Sequence, residues 1–271
     1  MTKSEVQPEW VHLWRTLHRR SDQPPHMFLE WTWPHDAQAF KGMRVLDAGC
    51  GGGQHAAWVA QHAREVVAVD RSTSSLVSER LAEFPHVRVV AGDIAHVGPE
   101  DLGGTFDVVY SIGVIHHTDD PDATFSNLVR CVRPGGLLIT WVYSREGNEV
   151  ARKLVEPLRK ALLRHLPGNT LEGISWALTV PALAAAHTLY RLPLASHLLP
   201  MSDYLKYQRT LPARRVAANV LDKLLAPRTE FIDRNRADRW LAHPELEPAH
   251  ISPFLGVSWR ISARRKLRAS D

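Results

Sequence analysis

Between Met43 and Tyr143 short apolar runs alternate with longer amphipathic stretches. The runs Arg44–Asp47, Glu65–Asp70, Val87–Ala91, Phe106–Ser111 and Gly136–Tyr143 are rich in Val, Ile and Leu, with little polar alternation. Strands covered on both faces have this pattern, so the runs predict the strands of a parallel sheet. Ala56–His62, Thr73–Phe84 and Asp122–Val132, which separate them, carry helical periodicity. Strand–helix repetition with right-handed crossovers predicts an α/β fold, a doubly wound, mostly parallel sheet.

The flanking segments break this rhythm. Upstream, Trp10, Leu13, Trp14 and Leu17 recur at helical spacing, and the apolar run Met27–Trp33 follows Pro24 and Pro25. Residues 1–40 therefore predict an N-terminal helical clasp on the main domain, or a lid over a bound ligand. Downstream, Leu154, Leu158, Leu162 and Leu163 mark one apolar helix face, stopped by Pro167-Gly168-Asn169. Gly173–Tyr190 lacks Asp, Glu, Lys and Arg, yet it contains Pro181 and His187. It is shorter than the ~20 residues a spanning helix needs, so it predicts a buried or lid helix that roofs a ligand. In-plane contact with lipid is the alternative reading of the same stretch. Arg214–Leu225 predicts another helix. Ile232–His243 predicts a helix too, and His250–Phe254 and Val257–Ala263 predict strands joined by a hairpin at Leu255-Gly256. The organisation expected is one α/β domain from 41–144 and 230–271, completing a seven-stranded sheet, with 145–229 as an inserted helical cap.

Composition adds limits. The chain has 33 Lys and Arg against 29 Asp and Glu, net +4, and no basic block long enough to require nucleic acid. Arg264-Arg265-Lys266-Leu267-Arg268 reads as a solvated tail. Two cysteines, Cys50 and Cys131, exclude a disulfide framework and fit a reducing compartment. The opening MTKSEVQPEW carries charge where a secretory signal is apolar, so a cytoplasmic location is expected. The histidines form no ligand-like cluster, and no metal is expected. Nothing in the pattern specifies an oligomer.

The strongest chemical signal is Val45-Leu46-Asp47-Ala48-Gly49-Cys50-Gly51-Gly52-Gly53, a strand running into a glycine-rich turn before a helix. Glycine lets backbone approach a ligand closely. Gly51-x-Gly53-x-x-Ala56 loosely satisfies a dinucleotide fingerprint with Asp70 near its ribose position, so a nicotinamide-dependent oxidoreductase stays open on this feature alone. The carboxylates narrow it. Asp47 ends the first predicted strand, Asp70 the second, and Asp93 follows the third in Ala91-Gly92-Asp93-Ile94; Phe106–Ser111 and Val132-Arg133-Pro134-Gly135-Gly136 follow in order.

With these motifs in this order, residues 43–143 resemble a class I S-adenosylmethionine-dependent methyltransferase of the small-molecule type, and 232–263 match again. The resemblance implies S-adenosylmethionine as cofactor. Asp47 and the loop Gly49, Cys50, Gly51 and Gly53 would hold its amino-acid end. Asp70, with Arg71 beside it, would hold the ribose hydroxyls; Asp93 and Ile94 the adenine; Ser111 and Ile112 the methionine side. The expected reaction is methyl transfer to a small or medium acceptor such as a natural product, glycan or lipid precursor, oxygen before nitrogen. Exocyclic-amine methyltransferases of this fold carry an Asn/Asp-Pro-Pro-aromatic turn where this chain has Ser111-Ile112-Gly113-Val114. His116 or His117, after the fourth strand, is the candidate base, and Tyr143 a candidate for orienting the acceptor. The same histidines would equally serve as a helix cap or as donors to loop carbonyls. A cofactor-binding protein without turnover is the remaining alternative.

Overall fold

The apolar runs divide residue by residue between two cores. Val45, Val66, Ala68, Val108 and Tyr110 point to one side; their neighbours Leu46, Val67, Val69 and Val109 point to the other. Strand side chains alternate between faces, so apolar residues at consecutive positions mean that both faces are covered. The computed structural model describes residues 25–71, 75–192, 199 and 201–267. Trp10, Leu13, Trp14 and Leu17, and the tail end at Arg268, lie outside the described residues.

The strands are β1 (Arg44–Ala48), β2 (Glu65–Asp70), β3 (Val87–Ala91), β4 (Phe106–Ile112), β5 (Val132–Tyr143), β6 (His250–Phe254) and β7 (Ser258–Arg264). They form a seven-stranded sheet in the order β3-β2-β1-β4-β5-β7-β6. Among the described strands β7 runs opposite to the other six. The β6–β7 turn places Leu255 and Gly256 at φ 53° and 67°, the paired positive φ values of a tight hairpin. The strand order reverses between β1 and β4, the point at which open α/β sheets bind ligands.

Helices cover both faces. On one side lie α1 (Pro25–Thr32), α2 (Gln54–Ala60) and α3 (Ser75–Leu81); on the other lies α4 (Pro121–Cys131). Phe28 of α1 is buried against Phe40, Trp58 and Tyr110 at ring-centroid distances of 5.3–5.8 Å. Asp120 caps α4 by accepting from the amides of Asp122 and Ala123, and Pro121 pre-sets its first turn.

The 145–229 segment holds α5 (Gly168–His187), α6 (Ser202–Gln208) and α7 (Ala213–Leu225); α8 (Arg234–Leu241) returns the chain to the sheet. Two expectations are corrected here. Leu154, Leu158 and Leu162 do not form a buried face: they are 68%, 47% and 60% exposed. A π-turn at Ala151–Val155 precedes the short helix Glu156–Ala161 and shifts the helical phase between Leu154 and Leu158. The inward position is taken instead by Arg159, which pairs with Glu156 and donates to the Ala226 carbonyl. Leu163 alone of that set joins the small core of Leu171, Leu221, Leu224 and Leu225.

The second correction concerns the roof over the sheet. Among the described residues α5 contributes nothing to the cavity wall, which α6 and α7 supply. Leu171 and the rest of the inner face of α5 pack on α7 from behind, while Trp176, Leu178 and Val180 face outward. No helix among the described residues is long and apolar enough to cross a membrane.

Candidate functional site

The turn after β1 bends toward the tip of β2. The amides of Gly49 and Cys50 both donate to the Val69 carbonyl, at 2.8 and 2.9 Å. The Gly51 amide donates to Asp70 Oδ2 at 2.9 Å. Gly49 sits at φ 93°, and Gly53, at φ 76°, starts α2; side chains are strongly disfavoured at both. Gly49 and Cys50 line the cavity, with Gly51 and Gly53 buried behind them. Burial pushes the Cys50 thiol pKa well above its ordinary value, so it sits there as an inert small group.

Asp70 and Arg71 reach the cavity at the tip of β2, and Asp93 and Ile94 at the tip of β3. Asp93 Oδ1 accepts the Ala95 amide at 2.9 Å, and its Oδ2 lies 3.7 Å from Arg71 Nη1. Arg71 Nε is buried without a hydrogen-bond partner. Asp47 is placed differently from these two acids. It is buried beneath the loop, off the cavity wall, opposite Tyr110 in the register. Its Oδ2 has no hydrogen-bond partner, and burial drives its pKa up to about 7.

A raised carboxyl pKa has a defined effect on stability. The folded state binds the proton more tightly than the unfolded chain, so Asp47 disfavours the fold as pH climbs from about 4 to 7. Asp47→Asn is therefore expected to raise the melting temperature of the ligand-free protein at pH 8. The gain should shrink toward zero near pH 4.5, as followed by thermal unfolding across pH.

At the tip of β4, Ile112 and Gly113 line the cavity. Ser111 does not: it is buried, and its hydroxyl donates to the Ala48 carbonyl at 2.8 Å, tying β4 to β1. The two histidines separate as well. His116 is fully buried, with neither ring nitrogen hydrogen-bonded, and burial holds its pKa well below the usual range. His117 lines the cavity, and its Nδ1 is 2.6 Å from the Arg228 carbonyl. A carbonyl only accepts, so Nδ1 carries the proton and the neutral tautomer has its lone pair on Nε2. Burial lowers the His117 pKa, with Asp222 opposing. Tyr143 packs on the His116 ring at 4.3 Å, and its hydroxyl is 3.5 Å from Asp222 Oδ2.

The opposite wall went largely unread in the sequence. Trp31 of α1 stacks near Trp141 of β5 at 5.2 Å. From α7, Arg215, Asn219, Asp222 and Lys223 face the cavity. Their i, i+4, i+7, i+8 spacing is a polar stripe, the one signal that could have singled them out. Lys223 Nζ lies 5.3 Å and 5.4 Å from the ring centroids of Tyr143 and Tyr204 and donates to the Tyr204 hydroxyl at 3.2 Å.

The chemistry of this wall suits an adenosyl sulfonium. Carboxylates at adjoining strand tips offer acceptors for a ribose diol and an amine, and the orphaned Asp47 oxygen places latent negative charge beneath the glycine turn.

Comparison with known proteins agrees with this reading. Residues 46–140 match the family model described as a methyltransferase domain. The ubiquinone biosynthesis O-methyltransferase of Rhizobium johnstonii is 31% identical over 138 residues, covering 51% of this chain and 55% of that protein. The tRNA U34 carboxymethyltransferase of Methylococcus capsulatus is 37% identical over 134 residues, covering 46% of this chain and 39% of that one. The chain thus spans about half the length, or less, of these curated relatives. The structure of DhpI in complex with SAH superposes with a TM-score of 0.52 at 13% identity, over 90% of this chain and 86% of that chain, a likeness of fold. Residues 46–140 thus form a methyltransferase domain, and in its motifs and fold the chain is similar to the class I S-adenosylmethionine-dependent methyltransferases, whose cofactor is S-adenosylmethionine.

Proposed function

We propose that the chain methylates an oxygen or, second, a nitrogen atom of a small or medium acceptor, such as a natural product, glycan or lipid precursor. In this reading residues 41–144 and 230–271 bind the cofactor, 145–229 cap the acceptor, and 1–40 clasp or cover the mouth. Asp70 and Arg71 hold the ribose hydroxyls, Asp93 and Ile94 the adenine. Gly49 and Cys50 border the amino-acid end, with Asp47, Gly51, Gly53 and Ser111 setting the loop from behind.

S-Adenosylmethionine, when bound, supplies an electrophilic methyl carbon. The residues then have two tasks: to hold the acceptor atom in line and to exclude water. Trp31, Trp141 and Tyr143 provide apolar surface for both. An oxygen or nitrogen nucleophile gives up a proton on methylation, and His117 Nε2 takes it. The single observation behind this assignment is the Nδ1 contact with the Arg228 carbonyl, on a residue that shares its cavity with Asp70 and Asp93.

Calorimetric titration with S-adenosylhomocysteine and with NADH tests the adenosyl site; preference for NADH would overturn it. Asp70→Ala is expected to weaken S-adenosylhomocysteine binding by about 1–3 kcal/mol through lost charge-assisted hydrogen bonds. Acceptors are tested with methyl-labelled S-adenosylmethionine against hydroxylated and amine-bearing small molecules, and against tRNA. Label appearing only in tRNA would overturn the small-acceptor reading. Binding without transfer to anything would favour a protein that has lost turnover.

A further inference from the structure

Arg215 stands out among the buried cations of this fold. It is 8% exposed, lies on the cavity wall near the start of α7, and its Nε is shielded from solvent without a hydrogen-bond partner. Arg159 and Arg236 show the contrast. Buried Arg159 is paired with Glu156 and the Ala226 carbonyl, and Arg236 bridges Asp122 and Glu230. Arg215 has no such partner among the described residues. Glu30, an acid near this end of the cavity, is instead engaged by the Tyr207 hydroxyl at 2.5 Å. Asp222, almost two turns further along α7, influences Arg215 without pairing with it. A guanidinium so little exposed and without an ionic partner is unfavourable, and an anion entering the cavity would neutralise it.

The surroundings indicate the kind of group. His55, across the cavity, is held neutral: burial first, then Arg215, lowers its pKa to about 3. It therefore adds no competing charge. The nearby Tyr207 and Trp31 are flat and aromatic, suited to a planar ligand. A guanidinium fork matches a carboxylate in two parallel hydrogen bonds, where an ammonium does not.

We propose that Arg215 is a carboxylate receptor, its fork completing the cavity wall between α2 and α7. The inference rests on the methyl-transfer reading. The carboxylate has two chemically equivalent sources: the amino-acid end of the cofactor, or an acidic group on the acceptor.

Calorimetric titrations of the full chain and of Arg215→Met and Arg215→Lys separate these. The probes are S-adenosylhomocysteine, 5′-methylthioadenosine (which lacks the amino acid), and benzoate with and without methylthioadenosine. Methylthioadenosine should bind all three proteins alike. Arg215→Met should weaken either S-adenosylhomocysteine or benzoate at least tenfold, with partial recovery in Arg215→Lys. Loss of the first assigns the carboxylate to the cofactor, and loss of the second to the acceptor. Binding of both within twofold of wild type would overturn the proposal. So would a parallel loss of methylthioadenosine, which would make Arg215 a prop for the cavity. Should wild type bind neither adenosyl compound, the methyl-transfer reading fails instead, and the benzoate titration still decides whether Arg215 binds an acid.

Discussion

His117→Ala is expected to lower kcat by about 10²–10⁴, the usual range for loss of a positioned base, while S-adenosylhomocysteine affinity stays within a few-fold of wild type. His117→Asn sharpens the test. Its side-chain amide can still donate to the Arg228 carbonyl in place of Nδ1–H, but offers no basic nitrogen in place of Nε2. A structural role predicts that Asn restores activity; a base predicts a stable protein as slow as the alanine variant. The pH profile gives an independent reading. Burial lowers the His117 pKa from the ordinary histidine range, so the acid limb of kcat should lie on the acid side of that range. That limb should disappear in His117→Asn. An unaltered profile in the variant, with turnover within threefold of wild type, would remove His117 as base and leave simple proximity as the source of rate.

How far these conclusions could be read before the fold was known depends on the kind of interaction. The strands were legible because a strand covered on both faces needs apolar residues at every position, a demand met over Val66–Val69 with neighbours supplied by any sheet. The hairpin at Leu255-Gly256 was legible for a similarly local reason. Asp70 and Asp93 were legible as strand-tip carboxylates, since each closes or follows an apolar run that ends at the ligand-binding edge of such a sheet.

What stayed hidden is what depends on distant partners or on a change of helical repeat. Spacing puts leucines at 154, 158 and 162 near one face but does not say that the face is buried, and the π-turn at Ala151–Val155 shifts Leu154 out of phase with the two that follow. Gly173–Tyr190 is apolar, yet apolarity does not say what a helix packs on; α6 and α7 line the cavity instead, α7 with a polar stripe opposite its buried leucines. The same limit applies to His116 and His117. They are adjacent in sequence and equal in type, and only the direction of the chain after β4 buries one and brings the other to the cavity.

Gly49→Ala is the other substitution with a large expected effect, because two separate penalties meet at one Cβ. The backbone sits at φ 93°, outside the region alanine occupies comfortably, at a cost of about 1–2 kcal/mol. The added Cβ would also stand 2.4 Å from Val114 Cγ2 and 2.6 Å from Cγ1, far inside van der Waals contact. Val114 cannot simply swing away, since its own Cβ would be only 2.8 Å distant. Either the turn after β1 lifts off the Val69 carbonyl or the β4 loop moves, and both carry cavity-lining residues with them. The expected result is a fall in stability of at least about 2–3 kcal/mol by denaturant titration, together with loss of measurable S-adenosylhomocysteine binding. Val114→Ala in the same chain should recover only part of the stability, since it clears the γ-carbons and leaves both the Cβ contact and the φ strain. Full recovery in the double variant would mean that crowding alone forbids a side chain at position 49. No recovery would put the whole cost in the backbone. A Gly49→Ala protein that kept wild-type stability and cofactor affinity would show that this turn is not held at the close approach on which the cofactor assignment depends.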